Sequence, residues 1–185
     1  MSAQATEKTA AREGLDYEAF LRLHAQAHKE TDVKRVALVA SKGTLDMAYP
    51  PLILATTAAA MGMECAIFFT FYGLDIIRKD KLASLKVAPL ANPAMPMPVP
   101  NLIGAIPGMT GLATWMMKRM MAKQRMPTVP DLLETAKRLK VRLIACTTTM
   151  GVMGVSERDL IEGAELAGAA AFLGYAAKAQ VTLFV

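Results

Sequence analysis

Four apolar runs of strand length, each separated from the next by helix-forming sequence, restrict this chain more than any other feature. Lys34-Arg35-Val36-Ala37-Leu38-Val39-Ala40-Ser41 is the first, Glu64 to Phe71 the second, Val141 to Cys146 the third and Gln180 to Val185 the last. Continuous rather than alternating hydrophobicity marks strands buried on both faces, the pattern of a parallel sheet covered by helices. Between the first two runs, Met47 to Met61 is rich in Ala, Leu and Thr and predicts a helix, with Pro50 and Pro51 tolerated only in its first turn. Gly62 ends it, and Tyr72-Gly73-Leu74-Asp75 reads as the loop after the second strand. Strand, helix and strand in that order form a βαβ unit, whose strands run parallel.

The later part of the chain continues the rhythm. Thr128 is placed to cap a helix in which Leu132, Leu133, Ala136 and Leu139 form a buried stripe, and that helix feeds the third strand. Ser156-Glu157-Arg158-Asp159-Leu160 opens a further helical region that runs through an alanine-rich segment to Lys178. The expectation is an α/β domain with a sheet of four or five strands, a fifth being offered by the short run Leu85-Lys86-Val87-Ala88. Residues 1–31 form a polar extension with one amphipathic segment around Tyr17, Phe20, Leu21 and Leu23, and residues 32–185 form a single domain.

An insertion at about residues 88–127 interrupts the domain. From Val87 to Met117 no residue is charged, a span long enough to suggest a membrane helix. Pro89, Pro93, Pro96, Pro98, Pro100 and Pro107 break it too often for that, and the central tract reads as extended or polyproline-like. Leu112 to Lys123 then predicts a helix with apolar residues on several sides, including Trp115, Met116 and Met117. Such a segment packs on its own domain or a sister subunit, or docks on a membrane surface or partner.

Composition narrows the partners. Hydrophobic residues make up 54% of the 185, an excess that subunit contacts, a membrane surface or an apolar cavity would explain. The formal charge of +5 comes partly from clusters at Lys118, Arg119, Lys123 and Arg125 and at Lys137, Arg138, Lys140 and Arg142. These suit acidic proteins or an anionic surface. Nucleic acid does not fit, because the one Trp and four Tyr do not interleave with the basic residues. Two cysteines, Cys65 and Cys146, make neither a disulfide framework nor a zinc pattern. With no apolar core for a secretory signal in the opening residues, the expected location is a reducing cytoplasm.

The site most worth attention is Cys146. It stands where an apolar strand delivers its last residue to the start of a helix, facing unpaired N–H groups and the positive end of a helix dipole, both of which favour a thiolate. Thr147, Thr148 and Thr149 add hydroxyl donors without adding negative charge. A cysteine in such a run also packs well as a small hydrophobe, and that reading stays open. No Gly-x-Gly-x-x-Gly or Gly-Lys-Ser/Thr motif supports a nucleotide site. His24 and His28 share a helical spacing that metal sites use, yet they have no third ligand nearby and read as a solvated pair. Both precede the first strand, so neither a Ser-His-Asp nor a Cys-His arrangement has a core histidine. Activation without a base suits sulfur exchange better than hydrolysis.

Ala145-Cys146-Thr147-Thr148-Thr149-Met150-Gly151-Val152-Met153-Gly154, followed by Val155 to Ile161, resembles the cysteine motif of the DsrE/DsrF-like sulfurtransferase family. The likeness is closest to its larger, methionine-rich branch of peroxiredoxin-like or sulfur-carrier proteins. It runs from about Lys34 to Val185 and includes Ala40 to Asp46 and the phenylalanine strand ending at Gly73. An acidic residue of that branch's motif is replaced here by Gly151. The resemblance implies a three-layer α/β sandwich with a mainly parallel sheet, assembled as a homo-oligomer such as a trimer, tetramer or hexamer. It also implies that Cys146 holds sulfur as a persulfide and exchanges it with a TusA-like or other sulfur carrier, in sulfur oxidation or thiolation, with no cofactor or metal. Thr147 to Thr149 would stabilise the sulfur anion, Met150 and Met153 would shield it, and Arg142 or the Lys137 to Lys140 cluster would guide an acidic partner. Cys65 is a strand residue or a second carrier, and a switch joining it to Cys146 needs the two strands to be neighbours. The alternative is a non-catalytic adaptor that docks on a membrane or redox complex through residues 102–126, with Trp115 and Met116 as contacts.

Overall fold

A computed structural model describes residues 33–88 and 108–185. The amino-terminal extension, with His24 and His28, and most of the proline-rich tract lie outside the described residues. Every described element belongs to the unit Arg35–Val185.

Five strands form one sheet in the order β4-β3-β2-β1-β5. They are β1 (Arg35–Ala40), β2 (Glu64–Phe69), β3 (Arg142–Cys146), β4 (Ala164–Ala167) and β5 (Val181–Phe184), and every pairing is parallel. The helices are α1 (Leu45–Ala60), α2 (Met109–Lys123), α3 (Val129–Arg138), α4 (Thr147–Met153) and α5 (Ala169–Ala176). From β1 to β4 the chain steps across the sheet in one direction, so its right-handed crossovers keep the intervening helices on one face. The return from β4 to β5 runs the other way, and the same handedness puts α5 on the opposite face. The result is a three-layer sandwich.

Each layer has its own core. On one face Leu38, Ile67, Phe69 and Leu143 pack against Leu52 and Ala55 of α1 and Leu132 and Leu133 of α3. On the other, Ala37, Ala66, Phe68, Ile144 and Cys146 pack under Phe172 of α5, whose ring stacks on Phe68 at 4.7 Å. Residue alternation along β3 therefore sends Cys146 to the α5 face and its neighbour Ala145 to the larger core.

Several boundaries differ from the sequence expectation for physical reasons. Helix α1 starts at Leu45, whose N–H bonds to the Lys86 carbonyl, so Pro50 and Pro51 fall in the second turn rather than the first. Their lost backbone bonds are offset by packing, because Pro51 is fully buried. The second strand stops at Phe69, and a 3-10 turn, Phe71–Ile77, replaces the expected loop. The stripe on α3 holds for Leu132, Leu133 and Ala136, but Leu139 caps the helix and is 38% exposed. Thr128 caps α3 as expected, in a reciprocal box with Asp131.

The largest difference concerns the fifth strand. Leu85 to Ala88 is irregular, and the fifth strand lies instead at Ala164–Ala167, inside the segment read as continuous helix. Gly163, at φ +85°, and Gly168, the cap of α5, break that helix on either side. A bidentate pair between Arg142 of β3 and Glu165 of β4 ties the edge strand down.

The carboxyl end of the sheet is locked by two glycines. A Cβ on Gly73 would lie 2.0 Å from the Ala40 carbonyl oxygen, and one on Gly43 would lie 2.1 Å from the Tyr72 oxygen. The turn after β2 and the loop after β1 thus interlock at backbone distance, and Thr70 N–H and Gly73 N–H donate to the Ala40 and Ser41 carbonyls.

Candidate functional site

Cys146 ends β3 and caps α4, and it is 5% exposed. Register pairs it with Ala167, the last residue of β4. The chain leaves Cys146 toward the larger core, where Met150 and Val155 are buried, and leaves Ala167 toward α5 on the opposite face. Adjacent parallel strands whose connections diverge leave a crevice at their carboxyl ends, the place where open α/β sheets bind ligands.

The donors around the sulfur come from two segments. Burial pushes the Cys146 thiol up, but the Thr149 hydroxyl and N–H, the Thr70 hydroxyl and the Thr148 N–H together outweigh it and hold the thiol below its ordinary value. Thr149 is itself buried, and its hydroxyl lies 3.0 Å from that of Thr70. The register of β2 and β3, which pairs Phe69 with Ala145, brings Thr70 level with Cys146. Phe71, in the left-handed region at φ +46°, turns the chain sharply after Thr70, and the glycine lock holds that turn. This arrangement favours the thiolate over the thiol, as a nucleophile or a sulfur-bearing anion requires.

The chain matches the DsrE/DsrF/DrsH-like family over residues 32–184. It is 43% identical over 158 residues to the sulfur carrier protein DsrE2 of Allochromatium vinosum, covering 82% of this chain and 98% of that protein. It is 34% identical over 155 residues to YrkE of Bacillus subtilis, covering 82% of this chain and 97% of that one. Among solved structures, the ychN protein from E. coli superposes with a TM-score of 0.51 at 14% identity, over 83% of this chain and all of that one, a likeness of fold.

The chain belongs to the DsrE/DsrF/DrsH-like family.

In this DsrE-like chain the sequence-selected residues do not all meet. Thr148 and Thr149 reach Cys146, whereas Thr147 is exposed at the rim, its hydroxyl 3.8 Å from where a Cβ on Gly168 would stand. Met150 and Met153 belong to the core on the far face, so the apolar wall beside Cys146 is made by Phe68, Ile144 and Phe172 instead. Arg142 begins β3, four residues before Cys146 and about 13 Å away at the usual rise of a strand. Its charge is engaged by Glu165 and its guanidinium lies 5.5 Å over the Tyr175 ring. Trp115 and Met116 are on α2, whose inner methionines Met117 and Met121 pack on the core opposite Cys146.

Cys65 is buried near the start of β2, and burial alone pushes its thiol up to about 11. The strands are neighbours, as a Cys65 to Cys146 switch needs, but Cys146 is level with Thr70, five residues along from Cys65. That is about 16 Å, against the roughly 7 Å a disulfide allows between Cα atoms. The two side chains also point to opposite faces.

Thr70 is the residue of the candidate site that sequence reasoning did not select. Its only sequence signal is position: a hydroxyl residue closing a phenylalanine strand, on the strand that precedes the cysteine strand in the sheet.

Proposed function

We propose that this DsrE-like protein is a sulfur carrier that holds sulfane sulfur as a persulfide on Cys146 and exchanges it with a TusA-like or other sulfur-carrier protein in a cytoplasmic relay. The observation that carries this reading is the convergence of the Thr149, Thr70 and Thr148 donors on one buried cysteine. The 43% identity to a protein named as a sulfur carrier supports it.

In the loading step the Cys146 thiolate attacks the outer sulfur of a donor persulfide, forming one S–S bond while the donor's S–S bond breaks and the donor leaves as a thiolate. In the unloading step an acceptor thiolate attacks the same outer sulfur, and Cys146 leaves as a thiolate. Each step exchanges one S–S bond for another, with no external oxidant or reductant. The donors serve both, since a thiol held below its ordinary pKa ionises more readily to attack and is also a better leaving group. Phe68, Ile144 and Phe172 keep water from one side of the sulfur. A homo-oligomer fits the apolar residues left exposed on β5 and α5, Val181, Leu183, Phe184 and Leu173. In the adaptor reading the donor set around Cys146 has no task.

The test is the intact mass of the wild type and of Cys146→Ser after incubation with polysulfide or a persulfidated carrier, before and after reduction. Reducible addition of whole sulfur atoms to the wild type alone is expected. Equal loading of Cys146→Ser would overturn the proposal.

A further inference from the structure

Away from Cys146, the α5 face of the sheet carries a row of charge where its strands begin. Alternation along the strands points Arg35 of β1, Glu64 of β2, Arg142 of β3 and Glu165 of β4 to the side of Ala37, Ala66 and Ile144, the side that α5 covers. Helix α5 meets this row with Ala171, Gly174 and Tyr175, spaced three and four residues apart on one face, and Lys178 follows just past its end. Nothing lies within 4 Å of where a Cβ on Gly174 would stand, and with Ala171 beside it the helix presents too little side chain to fill the space. A hollow of about 490 Å³ results, walled by α5, by the first residues of β1, β2 and β3, and by the turn at Lys140.

Its volume is that of a small-molecule site, and its charge says which kind of molecule. Four cations line it, Arg35, Lys140, Arg142 and Lys178, against one carboxylate, Glu64. Arg35 is paired with Glu64 and Arg142 with Glu165, each at 2.6 Å. Arg35 uses its Nε for that pair and Arg142 its Nε and one Nη, so both guanidinium groups keep N–H donors to spare. The Tyr175 ring, 5.5 Å from the Arg142 guanidinium, holds it at the wall. Lys140 and Lys178 pair with no carboxylate among the described residues. Lys140 is also held at φ +59°, directly after the cap of α3, a backbone position where glycine is the usual residue. The strands that carry the two arginines lie two spacings apart in the sheet, about 10 Å. That is the reach of a compact anion rather than of an extended acidic segment.

We propose that this hollow binds a small anion with two or more charged oxygen groups, a pyrophosphate-like or polycarboxylate compound, held by Lys140, Lys178 and the spare donors of Arg35 and Arg142. Charged oxygens facing these donors make charge-assisted hydrogen bonds that water alone does not supply. Arg142 is about 13 Å from Cys146, at the opposite end of β3, so the anion does not touch the sulfur and its binding does not depend on persulfide formation. Because it joins the start of β1, the turn between α3 and β3 and the end of α5, the anion should stabilise the fold.

The test is isothermal titration of the full-length protein with pyrophosphate and, separately, with citrate, at an ionic strength held constant with sodium chloride. Saturable binding of one anion per chain is expected, with a rise in melting temperature that added chloride does not reproduce. Binding of pyrophosphate alone would assign the hollow to phosphate compounds, and binding of citrate alone to polycarboxylates. Lys178→Gln should weaken binding by about fivefold. Lys140→Gly should weaken it by about as much without lowering the melting temperature of the anion-free protein, since glycine suits that backbone. Unchanged affinity in the protein with both substitutions would overturn the proposal, as would the absence of saturable heat with either anion. Binding of hexaglutamate but of neither small anion would overturn it in favour of an acidic protein segment. Cys146→Ser should bind like the wild type, which separates this outcome from any failure of the sulfur-carrier reading.

Discussion

The two cysteines sit on neighbouring strands of one sheet and differ in almost every property that matters. Cys65, near the amino end of β2, faces the larger core and has its thiol pushed up to about 11 by burial, with no opposing cause. Cys146, at the carboxyl end of β3, is equally hidden from solvent yet has its thiol held below the ordinary value. Exposure to solvent does not separate them, although Cys65 lies deeper and its thiol is more strongly desolvated. Beyond that depth, the carboxyl end of a parallel strand meets the N–H groups of the next turn and the hydroxyls of the adjoining strand end, while the amino end of β2 offers Cys65 no such donors.

The most severe way to break this contrast is at the sulfur itself. Cys146→Ser should lose reducible sulfur loading, whereas Cys65→Ser should keep it, as read by intact mass. Next in size is the glycine lock that supports only the Cys146 end. Gly73→Ala forces a Cβ against the Ala40 carbonyl and should cost about 3 kcal/mol in urea unfolding. Gly174→Ala, in α5 with open space around it, should instead stabilise by about 0.5 to 1 kcal/mol.

A finer test concerns the donors. Thr70→Val keeps the shape and removes one hydroxyl, so the thiolate loses a hydrogen bond and the Cys146 pKa rises. Alkylation at neutral pH should slow by up to about tenfold, the pH at half-maximal rate should move upward, and Thr70→Ser should restore both. Cys65 should stay unreactive across the range in which Cys146 titrates, because its thiol ionises only near 11. The smallest effect is expected at the other end of β3. Arg142→Ala removes an ion pair whose side chains are 47% and 43% exposed, and should cost about 0.5 kcal/mol while leaving Cys146 alkylation unchanged.

The order of the segments was legible because period and punctuation are local. Continuous apolar runs marked β1, β2, β3 and β5, and Thr128 marked the start of α3. The edge strand β4 was not, since Ala164-Glu165-Leu166-Ala167 has the composition of a helix and becomes a strand through pairing with β3 and the Arg142 to Glu165 contact. The same holds for Pro50 and Pro51, whose place in the second turn of α1 depends on burial that no local rule contains. At the site, Cys146 and the two threonines that reach it lie within four residues and could be read together. Met150 and Met153 were misplaced as shields because sequence proximity does not say which face of the sheet a turn chooses.

By itself the sequence determined that this is an α/β chain whose third long apolar strand ends in a cysteine at a helix start, because strand length, helix caps and turn residues act over a few positions. Only the tertiary structure decided that Thr70 joins Cys146, that Cys65 lies about 16 Å from it, and that α2 keeps a second apolar face outward. Those depend on register and on which side of the sheet each crossover takes, and both are set by packing among segments far apart in the chain.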